Sequence, residues 1–256
     1  NRISDVDLDD PPNTMGQDRS WSFTTAPPVA QIVIINEVDA DTLDSDTAEF
    51  IELYDGGAGG TSLDGLLIVL FNGNDGRSYR TIDLAGHTTD AAGYFLLANA
   101  AVATADLELP NGLLQNGPDA IALVDGQAEA FPNGTPVAGV TPLDAVVYGS
   151  ADEVGAELLT LLHSGQVAID ENGRGDAENH SNQRCPNGAG GARNSDSFRQ
   201  NTPTPRKASN CITDDAPKVT ARTPAPNATG VATTAPLSLT FSEPVDVGKG
   251  WLTIAC

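Results

Sequence analysis

Leu66-Leu67-Ile68-Val69-Leu70-Phe71, then Asn72-Gly73-Asn74-Asp75-Gly76, then Tyr79-Arg80-Thr81-Ile82-Asp83-Leu84, is the stretch whose reading decides the fold. An apolar run enters a cluster of Asn, Asp and Gly that tolerates positive φ, and a second run follows, which spells a β-hairpin. On the C-terminal side lie Gly93-Tyr94-Phe95-Leu96-Leu97-Ala98, Asp119 to Gly126 (DAIALVDG) and Leu143 to Gly149 (LDAVVYG), each bounded by glycine or proline. On the N-terminal side, Gln31 to Val38 (QIVIINEV) is β-branched and continuous, as a strand buried on both faces should be. In Glu49 to Tyr54 (EFIELY), Phe50, Glu52 and Tyr54 share one face while Ile51 and Leu53 share the other. Many short strands with turn residues between them predict a sandwich or barrel and not alternating βαβ units.

One short helix is expected after Gly149. Ser150 and Glu153 form a capping-box pair, and Val154, Leu158, Leu161 and Leu162 recur at helical spacing, although Gly155 weakens the pattern. From Asn172 to Asn210 there is no periodicity, so this stretch is expected to be a long loop that needs pinning. Ala26-Pro27-Pro28 marks a domain boundary, because proline removes a donor and forces extension. Before it, Trp21-Ser22-Phe23-Thr24-Thr25 reads as the last strand of a small sandwich. Beyond the acidic linker Thr213 to Pro217, Leu237 to Phe241 (LSLTF) and Trp251 to Ile254 (WLTI) read as the opening strands of another. The expected organisation is therefore residues 1–26, 31–211 and 217–256.

The chain holds 35 acidic residues against 13 basic ones, net −22 over 256 residues. Duplex affinity comes largely from Lys and Arg neutralising phosphates, so direct nucleic-acid binding is not expected. Attraction to an anionic membrane is disfavoured for the same reason. No apolar run reaches the roughly 18 residues of a spanning helix, so no membrane insertion is expected. Asn1 opens no signal peptide, and if the protein is secreted its targeting segment is expected upstream.

Three cysteines occur. Cys185 and Cys211 bracket a polar stretch rich in Gly, Asn and Pro, and a cross-link closing such a loop would add roughly 3 kcal/mol by restricting the unfolded chain. A disulfide is the expected state, weighed against two free thiols and a metal site, and it would imply an oxidising, extracellular compartment. Zinc has little support, since no CxxC exists and His87, His163 and His180 stand far apart. Cys256 has no evident partner within the chain.

The order and spacing of Ile35-Asn36-Glu37-Val38, Glu49 to Tyr54, Asp119 to Asp125, Val146-Val147-Tyr148-Gly149 and Ser181-Asn182-Gln183-Arg184 resemble the bacterial lamin-tail domain over about residues 31–211. The resemblance implies an all-β, immunoglobulin-like β-sandwich carried on secreted multidomain proteins, often beside endonuclease/exonuclease/phosphatase-type hydrolases. Phe50 stands where that family often has Trp. The flanks resemble bacterial Ig-like domains. Pro224 to Val231 with Leu239 to Val245 is similar to the first half of that module, and Asp9 to Met15 with Ser22 to Thr25 is similar to its end.

No catalytic constellation is recognisable, so an enzyme is not expected. Glu37, Glu49 and Glu52 belong to the strand pattern, and no G-x-S-x-G elbow is present. Calcium is the more plausible ligand. Asp5, Asp7, Asp9 and Asp10 form one group of hard oxygen donors, and Asp39, Asp41, Asp44 and Asp46 a second, neither in EF-hand spacing. Trp21, Trp251 and the tyrosines also allow a glycan-binding reading, weighed against their serving as core aromatics.

The expected function is that of a non-catalytic, extracellular structural or adhesion segment. An unfinished sandwich exposes backbone groups that an extended segment completes by β-strand addition, so neighbouring Ig-like domains or copies of the same chain are the expected partners, head to tail. The alternative is an accessory region of a secreted hydrolase whose catalytic domain lies elsewhere.

Overall fold

The computed structural model describes residues 33–43, 45–149, 155–175, 177–211, 218–241 and 245. Two compact units, Asn1–Asn210 and Cys211–Cys256, divide the chain.

In the first unit the hairpin forms as read, from β3 (Leu66–Asn72) and β4 (Arg77–Asp83). Around it stand β1 (Ile34–Asp39), β2 (Phe50–Tyr54), β5 (Tyr94–Asn99), β6 (Leu107–Leu109), β7 (Asp119–Asp125), β8 (Asp144–Gly149), β9 (Ile169–Asp170), β10 (Ser181–Arg184) and β11 (Phe198–Asn201). They make two sheets, one in the order β11-β10-β1-β2-β5-β6 and the other β4-β3-β7-β8-β9. Most neighbours are antiparallel; β5 with β6 and β8 with β9 are parallel.

Alternation places the core. Ile35, Val38, Ile51, Leu53, Phe95 and Leu97 from the first sheet meet Ile68, Leu70, Ile121, Leu123, Val146 and Tyr148 from the second. The continuous apolar run of β3 has a direct cause. Its other face, Leu67, Val69 and Phe71, is also buried, with Ala122, Val147, Val137, Leu158 and Leu161, under segments that cross the outside of the second sheet. Both faces are dry, so no polar alternation is needed.

The structure corrects two expectations. The described end of the predicted helix is a single 3₁₀ turn, Leu158–Leu161, which buries Leu158 and Leu161; Ser150, Glu153 and Val154 lie outside the described residues. Those leucines recur at helical spacing because one tight turn seals the second sheet, and Gly155 stands just before that turn. The stretch 172–210, expected to be a loop, contains β10 and β11, paired in register from Ser181 with Asn201 to Arg184 with Phe198. β10 also pairs with β1, so it lies inside the sheet.

The second unit holds β12 (Val219–Thr223) and β13 (Ser238–Phe241), an antiparallel pair whose residues are all exposed apart from the half-buried Phe241. Leu237 to Phe241 thus forms a strand at nearly its expected bounds. Trp21 to Thr25, Trp251 to Ile254 and Cys256 lie outside the described residues.

Candidate functional site

The polar groups of the first unit concentrate in three places. The first bridges the two sheets. Arg184, at the end of β10, is wholly buried, as is Asp144 at the start of β8. The guanidinium Nη2 donates to both carboxylate oxygens of Asp144, at 3.1 and 3.0 Å. Asp144 also accepts from the backbone N–H groups of Ile35 at 2.8 Å, Ala145 at 2.8 Å and Arg193 at 2.5 Å. Burial pulls both partners toward neutrality, raising Asp144 and lowering Arg184 from their ordinary values. The contact to both oxygens and the three amide donors oppose that shift on Asp144 and favour its charged form. Arg184 Nε donates to Ile35 O, its Nη1 to the carbonyls of Ala189, Gly191 and Asn194, and its plane lies 4.6 Å from the Phe198 ring centroid. One side chain therefore joins both sheets and the irregular loop after β10.

The second place is the outer face of the six-stranded sheet. A bulge between Ile35 and Glu37 turns Asn36 and Glu37 toward the same side. Asn36 Nδ2 donates to Glu52 Oε1 at 2.9 Å, and Asn36 Oδ1 accepts from Gly188 N at 2.9 Å. Residues 202–210 form a strap across this face. Thr204 donates its N–H and its hydroxyl to the two oxygens of Glu37, at 2.7 and 2.8 Å, and Arg206 N donates to Glu52 Oε2 at 2.5 Å. Asn210 N donates to Gln183 Oε1 at 2.8 Å, and Asn201 Nδ2 donates to Asn210 O at 2.8 Å. The Arg206 side chain pairs with Asp90 at 2.6 Å and Asp106 at 2.5 Å.

Burial raises Glu37, against donors from Ser181 and Thr204. It pushes Glu52 up to about 8, against donors from Arg206 and Asn36, with Glu37 adding repulsion. Glu49 is pushed to about 7 by burial and accepts from Leu113 N and Leu114 N. The three glutamates of the strand motifs are thus buried acceptors that hold loops in place. Cys185 Sγ lies 3.6 Å from Asn210 O, which puts the end of the strap beside this cysteine, while Cys211 is exposed.

The third place is the acidic end where β1 runs out. Of the second predicted aspartate group, Asp39 is buried, Asp41 and Asp46 are partly buried, and Asp44 lies outside the described residues, as do Asp5, Asp7, Asp9 and Asp10. Asn116 Nδ2 bridges Asp41 Oδ1 at 3.1 Å and Asp46 Oδ2 at 3.2 Å, and Asp46 Oδ1 accepts from Thr42 N at 2.9 Å. Glu171, just past β9, is buried, accepting from Asn182 Nδ2 at 3.2 Å, and Asp41 and Asp39 are the strongest of the charges that bear on it. Sequence reasoning missed Glu171 and Asn116, which join this region from distant parts of the chain. Among the described residues, no group of three or more His, Cys, Asp or Glu side chains is placed to hold a metal ion.

Residues 213–256 match the family model of the bacterial Ig-like domain. No curated protein and no solved structure matches the chain. With the two stacked sheets, the fold is an all-β one of immunoglobulin-like sandwich type. Among the described residues no helix is long and apolar enough to cross a membrane.

Proposed function

We propose that the chain is a non-catalytic structural segment of a secreted or surface multidomain protein, with residues 31–211 as a lamin-tail-like spacer joined to Ig-like modules. The observation that carries this reading is the match of residues 213–256 to the bacterial Ig-like domain. The buried polar groups favour a scaffold role as well. Glu37 and Glu52 accept bonds from the strap, and Glu49 from loop amides, which serves rigidity. Each member of Ser181-Asn182-Gln183-Arg184 has a structural partner, which gives the lamin-tail motif a physical reason.

The β12–β13 pair displays Val219 at 40% exposure and Leu239 at 37%, with Leu237 beside it at 60%. A two-stranded sheet so exposed is marginal by itself and gains by pairing with further strands. Its partner in this reading is the alternating segment ending at Trp21 to Thr25 of another copy, added as a strand, so that copies join head to tail. Light scattering on the eluted peak of the intact chain, and of a variant lacking residues 1–26, tests this. Concentration-dependent assembly is expected of the first and not of the second; a monomeric intact chain rejects the assembly.

Cys185 and Cys211 form a disulfide in this reading, which closes the strap over the sheet and belongs to an oxidising compartment. Non-reducing peptide mapping of protein secreted into an oxidising medium is expected to recover the two cysteine peptides linked.

A further inference from the structure

β1 ends at Asp39 in one sheet, and Glu171 follows β9 in the other. Asp39 is 6% exposed and Glu171 5%. Each has an oxygen that no donor meets, Asp39 Oδ1 and Glu171 Oε2. Asp119 Oδ2 is unmet as well, whereas two other buried carboxylates of this unit are fully partnered. Asp144 has an arginine and three amides, and Glu37 has both its oxygens bonded. The charged groups that bear on Asp39 are Glu37, Asp41, Glu49 and Asp46, and those on Glu171 are Asp41, Asp39 and Asp119. No Lys or Arg stands among them. A buried carboxylate with one oxygen unmet and no counter-charge is unfavourable, so something positive is missing from its surroundings.

The geometry points to a divalent-cation site at this end of the sandwich, in which Asp39 and Glu171 each give their unmet oxygen to the ion. Water completes the shell. The donors are hard oxygens from two strand ends, with no sulfur or imidazole, which suits calcium over softer metals. Asn182 holds Glu171 by one oxygen, which leaves the other for the ion. Binding ties β1 to β9 across the two sheets, a link that neither backbone ladder supplies.

Calorimetric titration of the EGTA-stripped full chain with calcium chloride, and thermal melts with calcium, magnesium or EGTA, test the site. The intact chain is expected to melt higher in calcium than in EGTA, because a ligand held only by the folded state stabilises it. Asp39→Asn and Glu171→Gln are each expected to bind about one ion fewer per chain than the intact protein and to lose the melting shift. Glu129→Gln, on the exposed turn Ala128–Ala130, keeps both. Counting ions separates this site from any binding by the aspartates near the N-terminus. Three results would overturn the proposal: no calcium uptake at millimolar concentration by the intact chain, an undiminished ion count in both variants, or Asp39→Asn melting higher in EGTA while the intact chain ignores calcium. The last would mean that a proton, and not an ion, neutralises Asp39. If a variant fails to fold by circular dichroism, the titration of the intact chain decides.

Discussion

Arg184 shows how much one side chain carries in this molecule. Its removal leaves Asp144 as a buried charge that keeps its amide donors and loses its cation. Arg184→Ala is therefore expected to cost about 3–5 kcal/mol in urea denaturation at neutral pH. Arg184→Met combined with Asp144→Leu should cost less than the single change, because no unpaired charge remains. Gly93 is a second position where one atom decides. Its φ is +94°, and a Cβ there would collide with the carboxylate of Asp55, which takes N–H donors from Gly57, Ala58 and Gly59. Gly93→Ala is expected to lose more than about 1 kcal/mol in the same assay, since both the backbone and the Asp55 turn must shift.

At the scale of elements, the strands legible in the sequence are those whose apolar residues face a core. β2 alternates because one face meets the core and the other meets the strap. β3, β7 and β8 run nearly continuously because both their faces are covered. β10 was legible only as a motif of a resembling family and not as a strand. All four of its residues are polar and all four are buried, so hydrophobic periodicity has nothing to register. They are buried because their partners come from other elements: Glu37 for Ser181, Glu171 for Asn182, Asn210 for Gln183 and Asp144 for Arg184. The strap over this face is an element without secondary structure, and Glu37 and Glu52 are two of its anchors. Thr204→Val removes one donor to Glu37 and should cost about 1–3 kcal/mol. In the same variant, amides of residues 202–210 should exchange with deuterium faster than those of β1 and β2, measured by mass spectrometry. Unchanged exchange there would mean that the strap is held elsewhere.

Charge acts on the molecule as a whole. With a net charge of −22, self-repulsion opposes the compact state, so the melting temperature should rise as sodium chloride screens it. The pH dependence has a definite sign. Burial pushes Glu52 to about 8 and Asp119 to about 6, above their ordinary values of 4.5 and 3.8. The folded chain thus binds more protons than the unfolded chain in that interval, and stability should fall as pH rises from about 4.5 to about 8. Asp55 and Asp90 act in the other direction. Burial alone would raise them, but hydrogen bonds to Asp55 from Thr89 and Thr61, and to Asp90 from Tyr94 and Ala92, leave both below their ordinary 3.8, so their contribution is lost in stronger acid. Melts in EGTA should therefore peak near pH 4–5, and Glu52→Gln should flatten the decline above that; a curve that rises steadily to pH 8 would contradict the assignment.

The all-β class, the apolar strands and the turn between β3 and β4 are written locally, because hydrophobic period and turn chemistry are properties of neighbouring residues. The sequence also carries the strand motifs that contain Glu37, Glu49 and Glu52. Folding alone settles what those glutamates do, that the polar segment after Asn172 supplies an inner strand and a strap, and that Asp39 and Glu171 share one acidic surrounding. Those facts rest on contacts between separate elements, as far apart in the chain as Glu37 and Thr204, and a polar side chain gives no local sign of whether its partner will be water, an amide or another charge.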